Sequence, residues 1–364
     1  MRHTVRGHDQ NKKLVKKLKQ GISTAPWDAP NLHPNFKAFY HLEKALIDSQ
    51  AVFICVPTPE RGGWLLDQEI ETVLETLKSL GWDGLTVIVS TLDPRGISSI
   101  FEHQNLVYNP PLVRLGHVIH DLLFPSMLLI GGYNPLNMDK VQALWNWSPD
   151  STVLVFRADP LTIATAKLAI NATLSSKIAW ANDIIFRAKE VGADAAKVLQ
   201  IVTTDPRIGA SYMKSGAPPA GPCIPRDLYV WHSLHAQMDL VYAVSQSHAG
   251  AKTRLLDRVV SEIKAVGSKP KVAILGITYN PGTTDYTGSI GLGVYHRGLA
   301  KGWDMVVCDP SHELIATQLP YLSFVSVEAA LAYAQVIVVA TEWPEFQDLD
   351  SGDKLVIWIK GLVY

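Results

Sequence analysis

The chain has 364 residues, 47% of them hydrophobic and 18% charged, with 33 Lys and Arg against 34 Asp and Glu. That length buries more than one core and accommodates two or more domains. The near-balanced charge argues against a dedicated nucleic-acid binder, whose footprint is strongly basic, and no apolar run reaches the roughly 18 residues of a membrane span. Residues 12–19 set Leu14, Val15 and Leu18 in one stripe among five lysines, a pattern that favours a solvated amphipathic helix over an anion- or membrane-seeking one. Residues 51–56 form a continuous apolar run ended by Pro57 and read as a buried parallel strand. Residues 67–80 carry helical periodicity up to Gly81, and 85–90 form a second apolar strand running into Ser90 and Thr91. Strands over 127–130 and 152–156 continue the alternation, which predicts a parallel α/β sheet.

From 160 to about 202 the pattern is helical without strand signals, and helical spacing returns over 228–263. The run Gly267, Ser268, Lys269, Pro270 is a linker. Beyond it, 272–276, 304–309, 336–341 and 355–358 read as strands, with a helix over 289–301 ended by Gly302. Three cysteines without paired spacing indicate a reducing, cytoplasmic setting, and no Cys/His cluster has zinc-like spacing, so no metal is expected. Cys55 and Cys308 lie in apolar runs and read as buried small hydrophobes. Cys223 instead sits in a loop of Gly and Pro, with Arg226 and Asp227 just beyond it. A thiol near a fixed cation loses its proton below the usual pKa of about 8.5 and becomes a nucleophile. An isolated loop cysteine is more often incidental than catalytic, so its neighbours decide the reading.

Those neighbours are Lys167 and Asn171, four apart on one helical face, then the segment 205–209 upstream of the cysteine. Downstream lie 271–276 and 341–346, and near the start 55–59 and Ser90-Thr91. In order and spacing they resemble the UDP-glucose/GDP-mannose dehydrogenase family, from about residue 5 to the end. The resemblance implies two Rossmann-like parallel-sheet domains joined by a central helical segment. Residues 1–157 would bind NAD, 158–265 would form a helical dimerisation segment, and 271–364 would bind the nucleotide sugar, a UDP-sugar. It further implies NAD-dependent oxidation of the sugar's primary alcohol to the uronate, by a homodimer that binds neither nucleic acid nor membrane. Cys223 would be the nucleophile, Lys167 and Asn171 the oxyanion stabilisers, and Asp227 and Thr91 further catalytic groups. Asp9 would bond the adenosine ribose, with Val56, Pro57, Thr58, Ser90 and Thr91 around the rest of the cofactor. Arg114, Lys167, Asn171, Tyr212, Gly221 and Arg226 would touch the substrate.

Departures from the family pattern limit what is carried over. In a dinucleotide fold the glycine turn lies about 20 residues before an acid such as Asp9, and none is present here. A truncated gene model and a lost cofactor half-site explain this equally; either way the first domain lacks its first βα unit and exposes strand edges. Pro111 and Leu115 stand where the family has glutamates that serve thioester hydrolysis. General acid–base help is worth on the order of a hundred- to ten-thousand-fold. Pro218, Pro219 and Pro222 remove N–H donors from the cysteine loop, Arg226 replaces a usual lysine, and Asn280 and Thr287 replace two cations. Three readings stand: a working dehydrogenase, a chain that stalls on a covalent Cys223 adduct, and a non-catalytic homologue that binds a nucleotide sugar or a partner subunit.

Overall fold

The computed structural model describes residues 3–22, 32–101, 105–145, 153–235 and 240–359. They form two compact α/β units, Met1–Ala169 and Ile170–Tyr364.

In the first unit a five-stranded sheet runs in the order Ala51–Ile54, Leu85–Ile88, Leu106–Tyr108, Met127–Gly131, Leu154–Ala158. Every pairing is parallel except that of Leu106–Tyr108 with Met127–Gly131. A separate two-stranded parallel sheet joins Val5–His8 to Phe36–Phe39. The interior strands are apolar on both faces, and Val87, Val107 and Ile130 have no exposure. Fully burying each such side chain stabilises the fold by about 1.5–3 kcal/mol.

Ala51–Ile54 departs from the expected buried strand. It pairs on one side only among the described residues, and Phe53 is 45% exposed. Val5–His8 likewise has one strand neighbour, and Val5 is exposed. Among the described residues both are edges. The last strand of the sheet begins at Leu154, two residues later than expected, and Thr152 lies outside the described residues. The lysine-rich helix Lys12–Lys19 packs on Phe36–Phe39 and buries Val15, while the Asn11 side chain accepts the N–H groups of Lys13 and Leu14. Its apolar stripe therefore faces its own sheet.

A 31-residue helix, Pro160–Glu190, continues the chain into the second unit. There it is followed by Ala195–Thr204, Ile224–Ser233 and Leu240–Val266. The helical stretch expected over 228–263 is thus two helices, the first ending at Ser233. The four-stranded sheet is wholly parallel, in the order Asp304–Cys308, Lys271–Leu275, Val336–Val339, Leu355–Trp358. Side chains alternate between its faces. Val272 and Ile274 pack with Leu255, Val259 and Ile263, whereas Ala273 and Leu275 pack with Trp343 and Phe346. Helices or loops cover both faces, which is why these strands read as unbroken apolar runs. The first of them ends at Gly276, whose φ is +87° and whose Cβ, were there one, would meet the Thr341 backbone nitrogen at 2.8 Å. Only glycine suits that turn.

Candidate active site

Cys223 stands immediately before Ile224–Ser233, with its residue exposed. Pro225 in the first turn and the Asp227 N–H on the Cys223 carbonyl, at 2.8 Å, set the start of this helix. The positive end of the helix favours a thiolate at this place. The loop before it is fixed at two glycines. Gly216, at φ +121°, donates its N–H to Asn182 Oδ1 at 2.8 Å. Gly221, at φ +82°, donates to the Thr287 carbonyl at 2.8 Å, and a Cβ there would lie 2.6 Å from the Tyr279 ring. Tyr212, with φ +61°, is a non-glycine residue in the left-handed region and is partly buried.

Asp227 has no exposure. Asn171 Nδ2 donates to its Oδ2 at 2.6 Å, and Arg226 Nε donates to its Oδ1 at 2.9 Å. Three residues expected from the sequence therefore converge. Arg226, the cation expected near Cys223, also forms an ion pair with Asp227 at 2.8 Å. The helix terminus adds a favourable field on the sulfur.

The remaining expected residues lie in the first unit. Lys167 Nζ donates to the Pro111 carbonyl at 3.1 Å, so the proline expected to replace a family glutamate supplies a backbone acceptor. Arg114 binds Asp121 through Nε at 2.9 Å and Nη2 at 2.6 Å, and its bonds hold the Asp121 carboxyl down at about 2. Leu115 follows, partly buried, ahead of the turn at Gly116.

At the strand ends, Asp9 follows Val5–His8 and accepts the Asn11 N–H at 2.7 Å. Ser90 Oγ donates to the Val56 carbonyl at 2.5 Å; Thr58 is buried, Thr91 partly buried and Pro57 exposed. Cys55 is exposed rather than buried, because its strand ends at Ile54 and leaves it in the turn, although desolvation still raises its thiol pKa. Cys308 is buried as expected, its thiol pushed up to about 12 by desolvation.

These groups were tested against a nicotinamide dinucleotide by their chemistry. Asp9 offers a carboxylate oxygen beyond the one on Asn11, and Thr58, Ser90 and Thr91 offer hydroxyls, all after parallel strands where α/β sheets bind ligands. They fit the ribose and nicotinamide ends. The described part of the first unit contains no Gly-x-Gly-x-x-Gly turn for the pyrophosphate. Among the described residues no group of His, Cys, Asp and Glu is arranged to hold a metal ion.

Sequence reasoning missed Tyr279, Asn182 and the Pro111 carbonyl. For Tyr279 one signal was available: it lies just past the carboxyl end of Lys271–Leu275. Asn182 accepts a distant backbone N–H and the Pro111 carbonyl accepts a distant lysine, contacts that leave no local pattern.

Comparison with known proteins places three models of one family in order along the chain. The NAD binding domain of the UDP-glucose/GDP-mannose dehydrogenase family matches residues 1–147, its central domain 162–249 and its UDP binding domain 273–360. A UDP-glucose 6-dehydrogenase from Rickettsia bellii is 26% identical over 336 residues, 86% of this chain and 76% of the relative. The UDP-glucose 6-dehydrogenase AglM of Haloferax volcanii is 28% identical over 338 residues, covering 84% and 77%. In fold, the chain is similar to a UDP-glucose dehydrogenase from Pyrobaculum islandicum, with a TM-score of 0.82 at 23% identity over 98% of this chain and 89% of that one.

Proposed function

Because the chain belongs to the UDP-glucose/GDP-mannose dehydrogenase family, we propose that it oxidises the primary alcohol of a UDP-sugar with NAD and carries the product as a thioester on Cys223. One observation carries this reading: an exposed thiol at a helix N-terminus, next to a buried Asp227 held by Asn171 and Arg226. NAD, when bound, supplies the hydride acceptor. Asp9 would hold its ribose hydroxyls, and Thr58, Ser90 and Thr91 would serve its other end. The Cys223 thiolate adds to the aldehyde carbon, forming a C–S bond, and the former carbonyl oxygen takes a proton. Removal of the second hydride leaves the thioester; water then releases the uronate and returns the thiol. Asn171 and Lys167 keep the oxyanion-stabilising roles that the resemblance gives them, and Asp227 orients Asn171.

Release is the slow step. Neither Pro111 nor Leu115 can move a proton, so thioester hydrolysis loses on the order of a hundred- to ten-thousand-fold. The same two residues favour a second reading, a homologue that binds a nucleotide sugar without turnover. We retain the division into 1–157, 158–265 and 271–364, with a homodimer formed through the central helices; Trp180, 58% exposed on Pro160–Glu190, supports that surface.

NADH absorbance tests the reading. Wild type with NAD and UDP-glucose forms NADH, and Cys223→Ser forms none beyond the first oxidation. A flat wild-type trace overturns oxidation, and a UDP-sugar that still raises the melting temperature then establishes the binder.

A further inference from the structure

We propose that Tyr279 belongs to the cysteine site, its phenol O–H held at the cysteine loop as a fixed hydrogen-bond donor to the Cys223 sulfur anion. The proposal rests on reading Cys223 as the nucleophile. Tyr279 follows the buried strand Lys271–Leu275, and its backbone is held on both sides. The N–H groups of Ile277 and Thr278 donate to the buried Asp309 carboxylate at 2.7 and 3.1 Å, and the Tyr279 N–H donates to the Asp285 carbonyl at 2.9 Å. The ring therefore has a fixed origin.

The ring lies against Gly221, two residues before the cysteine. Three of its atoms fall within 2.6–2.9 Å of where a Gly221 Cβ would stand. Gly221 donates in turn to Thr287, and Gly288 packs on Ala220, so the segment from 279 to 288 grips the cysteine loop at successive points. The absent side chain at 221 makes room for an aromatic one. For a purely apolar plug, Phe would suffice; this chain places a hydroxyl there.

That hydroxyl stays protonated. Burial first, then the charges of Cys223 and Asp285, push the Tyr279 phenol well above its ordinary range. A neutral phenol is a donor across the working pH range and stabilises an anion without competing for its proton. The other charged groups nearest in the chain, Arg226 and Asp227, are engaged with each other. Tyr279 thus adds a neutral donor to the charged groups of this loop.

The test compares wild type with Tyr279→Phe, which keeps the ring against Gly221 and removes the O–H. Iodoacetamide alkylation is followed against pH on the Cys223 peptide by mass spectrometry, which separates it from the exposed Cys55. The variant melts like wild type, its Cys223 alkylation at neutral pH slows on the order of tenfold, and the pH midpoint rises by about one unit. A midpoint identical to wild type overturns the proposal. This readout needs neither NAD nor sugar, so its failure is distinct from a failure of turnover.

Discussion

Asp227 shows what single residues contribute. It is fully buried and accepts bonds from Asn171 and Arg226, and a buried carboxylate is tolerated only with such partners. Asp227→Ala leaves Arg226, itself mostly buried, without its counter-charge, and is expected to destabilise the second unit by about 3 kcal/mol. A urea midpoint close to wild type would contradict this. Asp67 tests the opposite situation. Desolvation, then the charges of Asp93 and Glu71, raise its carboxyl from 3.8 to about 7, and its buried Oδ1 has no partner. The folded state therefore holds this proton more tightly than the unfolded chain does. The stability it contributes is complete below about pH 4 and is lost as pH rises to about 7. Asp67→Asn is expected to raise the unfolding midpoint at pH 8 and to leave it nearly unchanged at pH 4; an equal gain at both would show that ionisation is not the cause. Asn171 and Asp227 were singled out through the family resemblance, and the structure brings them into contact. The Arg226 pairing was not, because adjacency in sequence does not show which way a side chain turns.

Among elements, the edge strand Ala51–Ile54 is the informative case. Its apolar run predicted a strand correctly and its burial incorrectly, since burial depends on a neighbour that the run itself cannot reveal. In a parallel strand paired on one side, alternate amides face no partner. Those of Ala51–Ile54 are expected to exchange hydrogen at least an order of magnitude faster than the amides of Leu85–Ile88, which is paired on both sides. Equal protection would mean that something covers the edge. Elements with long apolar or periodic runs were readable, such as Lys271–Leu275 and Gln68–Ser79. The three-residue strand Leu106–Tyr108 was not, because so short a run fits many conformations. The break after Ser233 was missed for a different reason: helical composition continues on both sides of it.

For the whole molecule, family membership was legible from the order of segments, and the family models match in that same order. The grip of residues 279–288 on the cysteine loop was not legible, since it depends on chain paths that meet far apart in sequence. The proposed function has one chemical consequence of most weight: with Cys223 as nucleophile and Pro and Leu at 111 and 115, acylation is expected to outpace product release. Mass analysis of the Cys223 peptide after incubation with NAD and UDP-glucose tests this most directly. A burst of roughly two NADH per chain together with a sugar-sized addition on Cys223 is the predicted result. NADH formation with the Cys223 peptide unmodified would contradict it.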